Sequence, residues 1–189
     1  ELLDRGELKL AGMSKGDNKW NNSSVRGDLH LWLNERDKYA TLCPQLCALL
    51  DKIQLLQTEL NNTCRFDSTK TQVSPLTLAH SHSRGHSLKV QVACYPGEGA
   101  RYIRHLDAFK GGADRRLTVL YYINTEWRKG DGGELRLYNV GKGEGEEGKR
   151  GDIDIEPLAD RLLVFQSRVV EHEVLPSHKI RFSVTMWLY

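Results

Sequence analysis

Within the stretch YIRHLDAFKG (102–111), His105 and Asp107 offer an imidazole nitrogen and a carboxylate oxygen two positions apart. On a strand, side chains two apart leave the same face, so both can reach one cation. Two donors do not hold a catalytic ion. A third is available 65 residues beyond Asp107, at His172 in VVEHEVLP, just before the final strand-like run. Two histidines and one carboxylate would cap one face of an octahedron and leave three positions for exchangeable ligands. An HxD triplet is also what an ordinary surface strand contains, so it becomes a candidate only through its companions.

The most informative companion is Arg181, nine residues after His172 in IRFSVTMWLY. By the period of two, Thr185 and Trp187 share its face, and the apolar set Ile180, Phe182, Val184, Met186 and Leu188 forms the other. Its planar fork can grip a carboxylate in bidentate fashion, which a lysine does less well. A metal-chelating 2-oxo acid with a second carboxylate would fit between the ion and Arg181. That ligand set is the one non-haem Fe(II) oxygenases use. Two rivals are weaker. His80, His82 and His86 in HSHSRGH could bind zinc or nickel adventitiously, but on a polar loop without an acidic partner nearby. Arg26-Gly27-Asp28 spells an adhesion tripeptide in a chain with no secretory features.

The elements that must position these residues follow from periodicity. TLCPQLCALLDKIQLLQTELN (41–61) places Leu46, Leu49, Leu50, Ile53, Leu56 and Leu60 at intervals of three and four, predicting a helix with Pro44 in its first turn. Beyond residue 86 the period becomes two. Leu88, Val90, Val92 and Cys94 alternate with other residues, and RRLTVLYYIN, GELRLYNV and DRLLVFQS are strand-like runs between turns. One long helix followed by many short strands predicts a mainly β fold of the α+β kind, a double-sheet jelly roll, rather than βαβ units. We expect one domain over 1–189, with helical support at about 37–61 and the jelly-roll core at about 88–189. The segments 66–87 and 141–152 read as long loops.

Composition narrows the function. Hydrophobic residues make up 39% and charged residues 28%, with a net charge of +2, so nothing demands a nucleic-acid or anionic-membrane partner. No apolar run is long enough to span a bilayer, and the first residues do not read as a signal peptide. The four cysteines form no CxxC pair, which suits reduced thiols in a cytoplasmic or nuclear protein. The acceptor patterns at Asn21, Asn22 and Asn61 are then chance matches.

Read together, the motifs resemble the HIF-type prolyl hydroxylases of the 2-oxoglutarate-dependent Fe(II) oxygenases. The resemblance is carried by VACYPGEGARYIRHLD, by LYYIN with the following tryptophan, and by GGELRLY. DIEPLADRLLVFQS, the HEV at His172 and RFSVTMWLY continue it, with VRGDLHLWL upstream. It runs closely over 88–189 and loosely over 24–60. It implies a double-stranded β-helix with iron at His105, Asp107 and His172. It implies that Arg181 binds the distal carboxylate of 2-oxoglutarate with help from Tyr122 and Thr185, and that Tyr95 and Leu135 line that pocket. It also implies that Asp28 pairs with Arg115 to order a substrate-covering loop, and that Trp187, Trp32 and Tyr102 line the entry for a substrate proline.

The implied activity is a procollagen-proline-type dioxygenase reaction, a protein prolyl 4-hydroxylation. Fe(II) is the cofactor, 2-oxoglutarate and dioxygen are co-substrates, and ascorbate is the reductant. The implied partner is a protein carrying the target proline, with the enzyme acting as a monomer and suited to oxygen sensing. This sequence departs from the family pattern in AFKGGADRR after Asp107, in the expanded 141–152 loop, in the 66–87 segment and at His30. These departures favour the Skp-type ubiquitin-ligase adaptor, the substrate of related protist enzymes, over a HIF-type transcription factor. The alternatives are another 2-oxoglutarate oxygenase such as a nucleic-acid demethylase, or a cupin-like binding module without catalysis.

Overall fold

A computed structural model of the chain describes residues 2–15, 18–20, 22–33, 43–63, 90–112, 114–140 and 151–189. The histidines at 80, 82 and 86, Cys64, and most of both long loops lie outside the described residues. So do 37–42 of the expected helical support. The helix α1 runs Pro44–Thr63, three residues later at its start than the periodicity predicted. Pro44 opens it, where the missing N–H would have had no helical acceptor. Leu50 and Ile53 are buried, with Leu46, Leu49, Leu56 and Leu60 packed beside them, as the spacing predicted.

Twelve strands are described, and most of the chain's sheet structure falls in two antiparallel sheets. The larger contains β1 (Lys9–Leu10), β4 (Leu29–Trp32), β5 (Val90–Tyr95), β12 (Arg181–Leu188), β7 (Leu117–Tyr122) and β10 (Leu162–Gln166), in that spatial order. The smaller contains β6 (Ala100–His105), β11 (His172–Ser177), β8 (Leu135–Leu137) and β9 (Ile153–Ile155). β2 (Met13–Lys15) and β3 (Asn18–Trp20) pair only with each other. The jelly-roll expectation holds.

The β5 pattern differs from simple alternation, because all six of its residues are buried. The larger sheet is covered on both faces at β5, so neither set of that strand's side chains meets bulk water. On one face Val90, Val92, Leu117, Val119, Val184, Met186 and Leu188 pack against Leu50 and Ile53 of α1. On the other, Ala93, Tyr95, Leu120 and Tyr122 meet Leu135 and Val174 of the smaller sheet, together with Phe165. Ile180 does not belong to the apolar set. It precedes β12 and is 47% exposed.

Candidate active site

The three proposed ligands arrive on two neighbouring strands of the smaller sheet. His105 ends β6, His172 begins β11, and the two are register partners. His172 is therefore on a strand of its own rather than in the approach to the last one. Asp107 lies beyond the end of β6 in a bend, so strand alternation does not explain why it turns with His105. The larger sheet holds it instead. Thr118 of β7 donates to Asp107 Oδ2 at 2.6 Å, and Trp187 Nε1 of β12 donates to the same oxygen at 3.1 Å.

That arrangement directs Oδ1 toward the histidines. His105 Nε2 lies 3.7 Å and His172 Nε2 3.8 Å from it, and all three donor atoms fall within 4.8 Å of one another. These separations are too long for hydrogen bonds. They are close to the roughly 3 to 3.6 Å expected between donors each about 2.1 Å from one ion. In both imidazoles Nδ1 meets a carbonyl oxygen two residues back, Ile103 at 2.8 Å and Val170 at 3.0 Å. Each Nδ1 then carries the proton, and each Nε2 lone pair is free for a cation. Tyr102 stacks on the His105 ring, and Phe165 meets the His172 ring edge-on.

Electrostatics agree with this geometry. Burial alone would raise the Asp107 carboxyl, but His105, His172 and the Thr118 hydroxyl hold it well below the usual carboxylate range. Burial lowers His172 below its ordinary value, against the pull of Asp107, so the ring is neutral at pH 7. A carboxylate and two imidazoles, mutually oriented and each with one free donor atom, fit Fe(II).

The second feature of the site is Arg181, 1% exposed and the first residue of β12. Its Nε donates to the Gly133 carbonyl at 2.7 Å and its Nη2 to the Tyr122 hydroxyl at 3.2 Å. Its guanidinium lies 4.9 Å from the Tyr95 ring centre and 5.0 Å from that of Tyr122. Among the described residues no carboxylate pairs with it. A buried cation held only by neutral oxygens and aromatic faces is a seat for a ligand anion. Burial pushes both phenols up, so each keeps its proton, and the Tyr122 O–H remains available to donate after accepting from Arg181.

One cavity of about 390 Å³ joins the two features. His105, Asp107, His172 and Arg181 line it, with Tyr95, Leu135 and Thr185 from the expected pocket set. Trp32, Tyr102, Arg115, Asp28 and Trp187 line it from the expected entry. Tyr122 is fully buried behind the wall and acts through Arg181.

The expected Asp28–Arg115 pair is not formed. Fully buried Asp28 is held by Arg26, two residues away, at 2.7 and 3.0 Å. Arg115 lies instead over the Trp187 ring at 3.9 Å and donates to the Asp107 carbonyl at 3.2 Å. The tripeptide Arg26-Gly27-Asp28 is thus folded into the cavity wall, which removes it as an adhesion motif.

Several contributors escaped the sequence reading. Thr118 looked like one more strand residue in RRLTVL, with no local cue to its role. Gly132 and Gly133 carried a cue, since a glycine pair often marks close backbone approach. Both have positive φ, and a Cβ on Gly132 would stand 2.2 Å from the Pro176 carbonyl oxygen. A Cβ on Gly133 would stand 2.9 Å from Arg181 Cδ. Only glycines let this loop cover the arginine.

A site of this construction on this double-stranded β-helix defines an iron- and 2-oxo-acid-dependent oxygenase. The chain belongs to the 2OG-Fe(II) oxygenase superfamily, whose sequence profile matches residues 90–189. It is 33% identical over 183 residues to human prolyl hydroxylase EGLN3, an alignment covering 96% of this chain and 64% of that protein. Thus it spans about 64% of the length of such curated relatives. Among solved structures it resembles the Trichoplax adhaerens prolyl hydroxylase in complex with a hypoxia inducible factor oxygen degradation domain peptide fragment. The TM-score is 0.69 and the identity 30%, covering 100% of this chain and 73% of that one. It also resembles a Pseudomonas putida prolyl-4-hydroxylase, with a TM-score of 0.64 and 28% identity over 99% of this chain and 79% of that one.

Proposed function

We propose that residues 1–189 form one catalytic domain of a protein prolyl 4-hydroxylase. The observation that carries this reading is a single cavity with the His105–Asp107–His172 triad on one wall and the carboxylate-free, buried Arg181 in another. His105 Nε2, Asp107 Oδ1 and His172 Nε2 would hold Fe(II). Arg181, helped by the Tyr122 hydroxyl behind it, would hold the distal carboxylate of 2-oxoglutarate, with Thr185, Tyr95 and Leu135 along its sides. When bound, the iron and the oxo acid couple decarboxylation to succinate and carbon dioxide with transfer of one dioxygen oxygen atom to proline C4. The chain's own contributions are orientation and exclusion of water. Thr118 and Trp187 hold Asp107 Oδ2, which would leave Oδ1 to face the ion. Trp32, Trp187 and Tyr102 offer aromatic faces to a pyrrolidine ring, and Trp32 and Trp187 lie 5.5 Å apart at the entry.

The protein substrate we propose is a Skp-type ubiquitin-ligase adaptor, in line with the sequence departures at His30, after Asp107 and in the two long loops. A HIF-type degron is the second reading, favoured by the peptide that the Trichoplax adhaerens relative holds. The proposed setting is a reducing cytoplasm, with possible access to the nucleus, where ascorbate keeps iron ferrous and dioxygen supply sets the rate, as an oxygen sensor requires. Free thiols at Cys43, Cys47 and Cys94 are compatible with that setting. Two measurements test the reading. Succinate release from 2-oxoglutarate with Fe(II) should occur in the wild type and be lost in His172→Ala. Mass spectrometry of adaptor and degron peptides should show one added oxygen on a proline of the true target. Succinate release without either product removes the substrate assignment, and no release with any protein substrate favours a non-catalytic module.

A further inference from the structure

The strand VQVACY (90–95) places one strongly polar side chain, Gln91, among mainly apolar neighbours. Gln91 is 6% exposed, lies on the cavity face of β5 and lines the cavity. No hydrogen bond joins its carboxamide to another described residue, and the group is open to the cavity rather than sealed in the core. Across the sheet it is the register partner of Thr185 on β12 and of Trp32 on β4. An amide that opens into a cavity is met there by water or by a ligand group that replaces the water. Valine or methionine would meet the packing needs of this position. Its carboxamide opens into the cavity between Thr185 and Trp32, where a ligand group can replace water.

We propose that Gln91 is a specificity-determining residue that hydrogen-bonds a backbone peptide group beside the target proline. The inference rests on the prolyl hydroxylase reading above. Position agrees with a peptide contact, since Gln91 pairs with Trp32 at the entry as well as with Thr185 beside the co-substrate. Chemistry favours it too. A carboxylate calls for a cation, as at Arg181, whereas a carboxamide is neutral and offers donors and an acceptor together. That pattern complements a peptide group. Proline has no N–H of its own, so its flanking carbonyl and the next residue's N–H are the backbone groups left to read.

The test compares wild type with Gln91→Met, which keeps length and shape while removing both hydrogen-bonding functions. The probes are 2-oxoglutarate and whichever of the two prolyl peptides the wild type hydroxylates. The expected result is a rise of about tenfold in the peptide KM, with the 2-oxoglutarate KM and the rate of peptide-free succinate release unchanged. Replacing the peptide bond after the proline by an ester should weaken binding to wild type and add nothing further in Gln91→Met. Quenching of tryptophan fluorescence by the peptide on metal-free protein gives the same comparison without turnover. An unchanged peptide KM overturns the inference while leaving the prolyl reading intact. A rise confined to the 2-oxoglutarate KM also overturns it and assigns Gln91 to the co-substrate. If wild type hydroxylates neither peptide, the substrate assignment and this inference fall together. Should Gln91→Met not fold, Gln91→Asn, which keeps the amide but withdraws it by one methylene, is expected to show the same selective KM rise.

Discussion

The two faces of the larger sheet use the same strands for different ends. Toward α1, β12 presents Val184, Met186 and Leu188 to an apolar core that includes Leu50 and Ile53. Toward the cavity, the alternate residues are Arg181, Ser183, Thr185 and Trp187, all at least nine-tenths buried and all lining the site. One face satisfies itself by dispersion and exclusion of water. The other buries polar groups whose best partners are ligands, and it is stable only because the first face fixes the strand positions. Chemistry and stability are thus separated by one residue of register.

Changes on the cavity face should remove function while sparing the fold, and changes on the helix face should do the reverse. The largest effect is expected for Asp107→Ala and His172→Ala, which take one of only three protein ligands. Succinate release should fall at least about a thousandfold, with thermal unfolding of the metal-free protein little changed. Next is Arg181→Met, which removes a buried charge built to meet an anion and should weaken 2-oxoglutarate binding by about a hundredfold or more. Isothermal titration with iron replaced by a redox-inert divalent ion measures it. On the helix face, Met186→Ala should cost about 3 kcal/mol of stability through lost burial and a residual cavity. Its activity per folded molecule should match wild type in denaturant-calibrated assays. A Met186→Ala protein that folds normally but cannot turn over would break the comparison.

Thr118→Val sharpens it, since Thr118 belongs to β7 yet serves the cavity. Loss of its bond to Asp107 Oδ2 should weaken metal affinity about tenfold, seen in competition with a chelator. The smallest effect is on pH. In the metal-free protein, His172 is lowered below its ordinary 6.5 by burial and Asp107 is held low by its neighbours. Each is less protonated folded than unfolded, so the unfolded chain gains protons first on acidification. Stability should be fully present above pH 6.5 for the His172 contribution and decline below it, and a melting series from pH 7.5 to 5 should show less slope in His172→Leu.

Much of the site was legible because its residue types are chemically unusual where they stand. An arginine on a patterned apolar strand, an HxD triplet and a later histidine are few enough to be joined. Their elements were legible where periodicity is strong, as in α1 and β12. Other features were not. The short strands β1, β2, β3 and β9 carry too few residues for a period to show. Residue spacing alone did not reveal that Asp107 lies past its strand end, because Thr118 and Trp187, its holders, are 11 and 80 residues away. The Asp28 partner is Arg26, two residues away on a segment that pairs with Tyr102 and Arg101, a long-range contact that no local pattern shows.

By itself, then, the sequence determined the chemical inventory: which donors exist, which faces are apolar, and that a buried cation must be answered by an anion. Those follow from side-chain chemistry and strand or helix period, which are local. Only the tertiary structure decided which oxygen of Asp107 faces the histidines, which nitrogen of each imidazole is free, and that Gln91 opens into the cavity. Those depend on strand register and on contacts between residues far apart in the chain, and no local pattern encodes them.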